Sequence, residues 1–130
     1  MRIAAYQFAV TGDMVENFEK IKNAILLAKK NAVQLLVFPE CALTGYPPRD
    51  IKSSSEVRFD LVEDCCKKRQ ELSDETGIAL LVGTIYRTDQ IYNRSILFQP
   101  SGLFGSMISG LCGGGIESIL PREAAMAFLK

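Results

Sequence analysis

Val33-Gln34-Leu35-Leu36-Val37-Phe38-Pro39-Glu40 decides the reading of this chain. The run from Val33 to Phe38 is apolar except for Gln34, rich in Val and Leu, and stopped by a proline that cannot donate to a sheet ladder. That pattern predicts a short strand covered on both faces, with Glu40 at its carboxyl end. In open α/β sheets ligands gather at that edge, because helices cover the faces and the loops there are free to converge. Position alone also allows an ordinary exposed loop glutamate.

Outward from this run the pattern alternates. Arg2 to Phe8 has strand length, and Thr11-Gly12-Asp13 breaks it. Asp13 and Glu16 have the spacing of a capping box, predicting a helix from Met14 to about Ala32. Phe18, Ile21, Ile25, Ala28 and Ala32 step by three and four along it, whereas Glu19, Lys20, Lys22, Lys29 and Lys30 lie off that stripe. Strand, amphipathic helix and apolar run form a β-α-β unit with parallel strands and a right-handed crossover. The fold class is therefore α/β.

Gly45, Pro47 and Pro48 exclude regular structure between Cys41 and Asp50, so an ordered loop follows the carboxylate as a pocket wall. Ser53, Ser54 and Ser55 offer caps for a second helix through about Glu75, closed by Thr76-Gly77. Ile78 to Arg87 and Ile91 to Gln99 then read as an antiparallel hairpin across Thr88-Asp89-Gln90. Beyond Ser101-Gly102 glycines fall among unpatterned apolar residues. No strand is expected there, and only a short helical stretch from Glu123 to Lys130. Gly113-Gly114-Gly115 lacks the spacing of a phosphate loop.

At 130 residues one domain is expected, and 48% hydrophobic with 23% charged residues is the balance of a globular chain. Fifteen basic and fifteen acidic side chains cancel without a basic block, which argues against nucleic acid or an anionic membrane as partner. The opening Met1-Arg2-Ile3 leads into an apolar stretch too short for a signal-peptide core or a membrane span, so a cytoplasmic location is the expectation. Histidine is absent, and Cys41, Cys65, Cys66 and Cys112 form no C-x-x-C pair, which disfavours zinc and histidine-based triads. No cofactor and no metal is expected. Cys65 and Cys66 adjoin on a helix and read as small buried residues.

With these elements placed, Ala5-Tyr6-Gln7, Asn17, the Leu35 to Glu40 segment, Leu43-Thr44-Gly45-Tyr46-Pro47-Pro48, Gly83 and Asn93 together resemble the N-terminal part of the carbon-nitrogen hydrolase (nitrilase/amidase) superfamily. The resemblance covers about residues 1–102. It implies an incomplete α-β-β-α sandwich of the nitrilase type, a small amide or nitrile substrate, pairing into a homo-oligomer, and Glu40 as general base. Such a base takes the proton of a cysteine thiol and later activates the water that releases the acyl-enzyme. The segment around Thr44 to Pro48 is also similar to the glutaminase domain of glutamine-dependent NAD synthetases, which implies an ammonia donor as an alternative.

The family's lysine and nucleophilic cysteine have no match in this sequence. Past Gly102 the one lysine is Lys130, and Cys112 sits in a glycine-rich stretch without a preceding strand. Cys41 adjoins Glu40, but neighbours in an extended chain point apart. The chain is accordingly expected to be catalytically incomplete, or to act as a truncated domain that associates with an intact homologue. The tail suggests a cause. Read from the third base of each codon, the Met107-Ile108 junction must encode Asp and the Met126-Ala127 junction must encode Gly. Permitted codons around them spell Y-D-K-R-A-L-W-G-W and N-G-I-F, strings that resemble what the family carries next. Residues 1–102 are thus expected to be the hydrolase part, and 103–130 a divergent, frameshifted tail.

Overall fold

The computed structural model describes residues 1–100 throughout and residues 104–111 as a strand. The order is β1 (Ile3–Ala5), α1 (Met14–Lys30), β2 (Leu35–Val37), a 3-10 turn (Ser54–Glu56), α2 (Phe59–Thr76), β3 (Ala79–Arg87), β4 (Ile91–Phe98) and β5 (Phe104–Leu111). All five strands form one sheet in sequential order. β1, β2 and β3 are parallel, with Leu35 beside Ile3 and Ala79, whereas β3, β4 and β5 run antiparallel. α1 and α2 pack against one core cluster on the same face of the sheet, the arrangement that two crossovers of the usual right hand advancing in one direction produce. The result is the α/β half-sandwich expected, one helical layer on one sheet.

The core lies between these layers. Ile21, Ala24, Ile25 and Ala28 of α1 pack on Leu36, Leu80, Val82, Ile96 and Phe98, with Cys66 and Leu72 of α2 against the same cluster. Ile21 and Ile25 are fully buried, each contributing about 1.5–3 kcal/mol of transfer free energy. Alternation along each strand sends Ile3, Leu35, Val37 and Leu81 to the opposite face. There Ile3 is 58% exposed and the other three are half-buried.

Helix ends explain the local boundaries. Asp13 caps α1 by accepting from the amides of Val15 and Glu16. The reciprocal half of the capping box is not formed: Glu16 pairs with Lys20 instead, and the Asp13 amide donates to the Thr11 hydroxyl. At the other end Ala32 takes φ +54°, its amide donates to the Lys29 carbonyl, and the Val33 amide reaches the Ala28 carbonyl. This double bond pattern is a Schellman motif with alanine where glycine is favoured. The second helix starts later than expected, at Phe59, because Ser53 caps the 3-10 turn instead.

Two expectations about strands are corrected. β1 ends at Ala5 rather than Phe8, although the Tyr6 amide still donates to the Val37 carbonyl. The absence of a strand after Gly102 is overturned by β5, which pairs with β4 from Phe98↔Phe104 to Tyr92↔Leu111. The sheet thus continues past the boundary drawn at residue 102. The helical stretch Glu123 to Lys130, Gly113 to Gly115, Cys112 and Lys130 lie outside the described residues.

Candidate functional site

β2 is only three residues long, yet the chain continues to bond to β3 after it. Phe38 donates its amide to the Leu81 carbonyl at 2.9 Å, and Leu43 donates to the Gly83 carbonyl at 3.2 Å. The Ile85 amide then donates to the Thr44 hydroxyl at 3.1 Å. Between these anchors Pro39 to Ala42 form a turn, closed by the Ala42 amide on the Pro39 carbonyl. The turn crosses β3 at Gly83, where a Cβ would lie 2.6 Å from the Cys41 nitrogen and the Pro39 oxygen and 2.9 Å from the Glu40 Cα. Only glycine admits that approach.

Glu40 stands exposed on this turn, at the carboxyl end of β2. Its Oε1 accepts a hydrogen bond from Nδ2 of Asn93 on β4. The Asn93 Oδ1 accepts from the Cys41 thiol at 3.5 Å. Glu40 and Cys41 therefore meet one amide, which corrects the expectation that they point apart. The backbone between them is a turn rather than extended, with Cys41 at φ +50°. Asn93 pairs with Ile85 across the hairpin, so its side chain shares a face with Gly83 and Ile85. This is the face opposite the one on which α1 packs, and Phe59 at the start of α2 packs against Ile85 there.

The segment behind the carboxylate is fixed from below. Asn17 is fully buried in α1. Its Nδ2 donates to the carbonyls of Thr11 and Leu43 at 2.7 and 2.8 Å, and its Oδ1 accepts from the Thr11 amide at 2.9 Å. One side chain thus ties the chain after β1 to the turn after β2. Further on, Gly45 at φ +81° packs so closely that a Cβ would meet Asp50 at 2.7 Å and the Thr11 carbonyl at 2.8 Å. Asp50 accepts from the Tyr46 amide at 2.8 Å and is gripped by Arg49 at 2.9 Å. The Arg49 hydrogen bond, followed by the Tyr46 amide, holds the Asp50 carboxyl below its ordinary range. Cys41 to Asp50 is the ordered loop that its glycine and prolines imply.

The other thiols among the described residues lie on α2. Cys65 is buried and Cys66 half-buried on α2, and burial pushes both thiols up. Among the described residues no three histidine, cysteine, aspartate or glutamate side chains gather to hold a metal, and no helix is long and apolar enough to cross a membrane. A groove of about 490 Å³ opens between the start of α1 and Val57, Arg58 and Leu61, and Glu40 does not line it. Asn93 was visible in the sequence only as part of a family pattern, not as the partner of Glu40.

Chemically, the site offers a base held by a neutral donor, with the Cys41 thiol on the other end of the same amide and the Arg49 charge acting on both. Among the described residues no ion pair to the Glu40 carboxylate is formed. The model of the family described as "Carbon-nitrogen hydrolase" matches residues 2–110. A glutamine-dependent NAD(+) synthetase of Thermotoga maritima is 29% identical over 109 residues, which is 81% of this chain and 18% of that protein. A nitrilase of Pyrococcus abyssi is 27% identical over 92 residues, 69% of this chain and 35% of the nitrilase. Among solved structures, an amidase from Nesterenkonia sp. superposes with TM-score 0.74 at 26% identity, over 93% of this chain and 48% of the amidase. The chain spans less than half the length of each of these proteins.

Proposed function

Because this chain belongs to the carbon-nitrogen hydrolase family, we propose that Glu40 is the general base of an amide- or nitrile-hydrolysing site whose lysine and cysteine these 130 residues do not supply. The observation that carries the reading is the Glu40 carboxylate, presented at the β2 edge over Gly83 and bonded by Asn93. A carboxylate there can accept the proton of an attacking thiol, and after acyl transfer it can take a proton from water. Members of a catalytic unit act together, so a base without its two companions leaves negligible turnover. Ammonia release from short amides tests this. No release is expected above a Glu40→Gln control; release that the variant loses would contradict the missing lysine and cysteine, and release that the variant keeps would contradict Glu40 as the base.

A non-catalytic role is favoured by the sheet face away from the helices, where Ile3, Leu35, Val37 and Leu81 are only partly covered. Apolar faces of that kind drive association, here with an intact relative or a second copy. Size-exclusion chromatography showing a monomer with cooperative unfolding would count against it. The NAD synthetase relative supports a glutaminase-like ammonia donor as the substrate-level alternative. Glutamine among the amides assayed separates that case. For residues 103–130 out-of-frame translation remains the proposal, supported by the forced Asp and Gly codons. Coding DNA whose codons do not permit the alternative strings would remove it.

A further inference from the structure

We propose that Asn93 is the positioning residue of Glu40: it commits Oε1 to a fixed hydrogen bond and leaves Oε2 as the oxygen that accepts the proton. The amide can do this in one orientation only. A carboxylate accepts and a thiol donates, so Nδ2 must face Glu40 and Oδ1 must face Cys41, as found. Turning the amide over would set two acceptors against each other and two donors against each other.

Three features of the backbone exist at this one place. Cys41 adopts φ +50°, which delivers its thiol to the amide carbonyl instead of away from it. Gly83 lets the Pro39 to Cys41 backbone lie directly on β3, within reach of the next strand. The register between β4 and β5 shifts between Asn93 and Arg94, and such irregularities re-aim a side chain. Each of these conformations is costly or irregular by itself, and all three converge on one side chain. No described residue donates to Oε2. A lone pair already engaged by an N–H is the poorer base, so the proton from a thiol, and later from water, goes to Oε2.

The inference rests on Glu40 being the base, but its test reads geometry alone. Nuclear magnetic resonance on the isotopically labelled 130-residue protein gives two readouts. In the wild type the Asn93 side-chain amide proton that faces Glu40 should resonate well downfield of its geminal partner, as a hydrogen bond to a carboxylate requires, and Glu40→Gln should remove that separation. The Glu40 side-chain couplings should report one rotamer in the wild type and averaged rotamers in Asn93→Leu and Asn93→Asp, the latter by like-charge repulsion. A purely packing role for Asn93 moves neither. Asn93 amide protons indifferent to Glu40→Gln, or a single Glu40 rotamer surviving in a folded Asn93→Leu protein, would overturn the proposal. Should both Asn93 variants fail to fold, the Glu40→Gln arm decides, since that side chain is exposed. Amide turnover by the chain would refute the functional reading above and leave this assignment standing.

Discussion

Replacing Gly83 by alanine adds one methyl group at the point where the turn bearing Glu40 crosses β3. That carbon would sit 2.6 Å from the Cys41 nitrogen and the Pro39 oxygen and 2.9 Å from the Glu40 Cα. All three are backbone atoms, so no flexible side chain can yield. The turn cannot simply lift, because Phe38 is bonded to Leu81 on one side and Leu43 to Gly83 itself on the other. Overpacking of this kind costs about 1–3 kcal/mol. Stretching the Leu43 hydrogen bond adds about 0.5–1.5 kcal/mol, for a total of about 1.5–4.5 kcal/mol. Gly77→Ala is the control: its Cβ meets nothing within 4 Å, and its φ of +74° costs only about 1–2 kcal/mol of backbone strain. Urea unfolding followed by circular dichroism, at matched m-values, compares the two. A loss in Gly83→Ala no larger than in Gly77→Ala would refute the close approach on which the site is built.

Ala32→Gly relieves a left-handed alanine in the Schellman motif that ends α1, and should raise stability by about 1 kcal/mol in the same unfolding assay. Arg69 is fully buried between the rings of Phe18 and Phe98, at 5.9 and 5.8 Å, and among the described residues no oxygen or nitrogen accepts from its guanidinium, which has only the weak acceptor of the Cys66 thiol beside it. Contact with two rings offsets only part of that cost, so Arg69→Met should stabilise the protein by about 1–4 kcal/mol, seen as a higher urea midpoint. Asp50 has a carboxyl held low by Arg49 and Tyr46, so its contribution is present above the ordinary carboxylate range and lost as pH falls below it. Thermal unfolding between pH 7 and pH 3 should therefore show a smaller drop for Asp50→Asn than for the wild type.

The elements readable in advance were those whose burial is written as a period or a run. The apolar stretch ending at Phe38 became the central parallel strand, and the three-four spacing of Ile21, Ile25 and Ala28 became the buried face of α1. The hairpin of β3 and β4 followed from two β-rich runs around a short turn. β5 was not readable because its glycines argue against a strand, and its partner β4 imposes the extended form by pairing. The Asn93 bond to Glu40 joins positions 53 residues apart, a separation at which no local pattern speaks. The direction of Cys41 escapes the sequence for a related reason: it depends on one positive φ, in a turn pressed against Gly83. Asn17 was recognised as a family position, while its work of tying Thr11 to Leu43 emerges only once both loops are in place.

Incubation with a short amide followed by intact-mass spectrometry asks directly whether the base at the β2 edge has a nucleophile to serve. The account predicts the unmodified mass for the wild-type chain and for Glu40→Gln alike. A mass increase of one acyl group on a cysteine of the wild type, absent from Glu40→Gln, would contradict it.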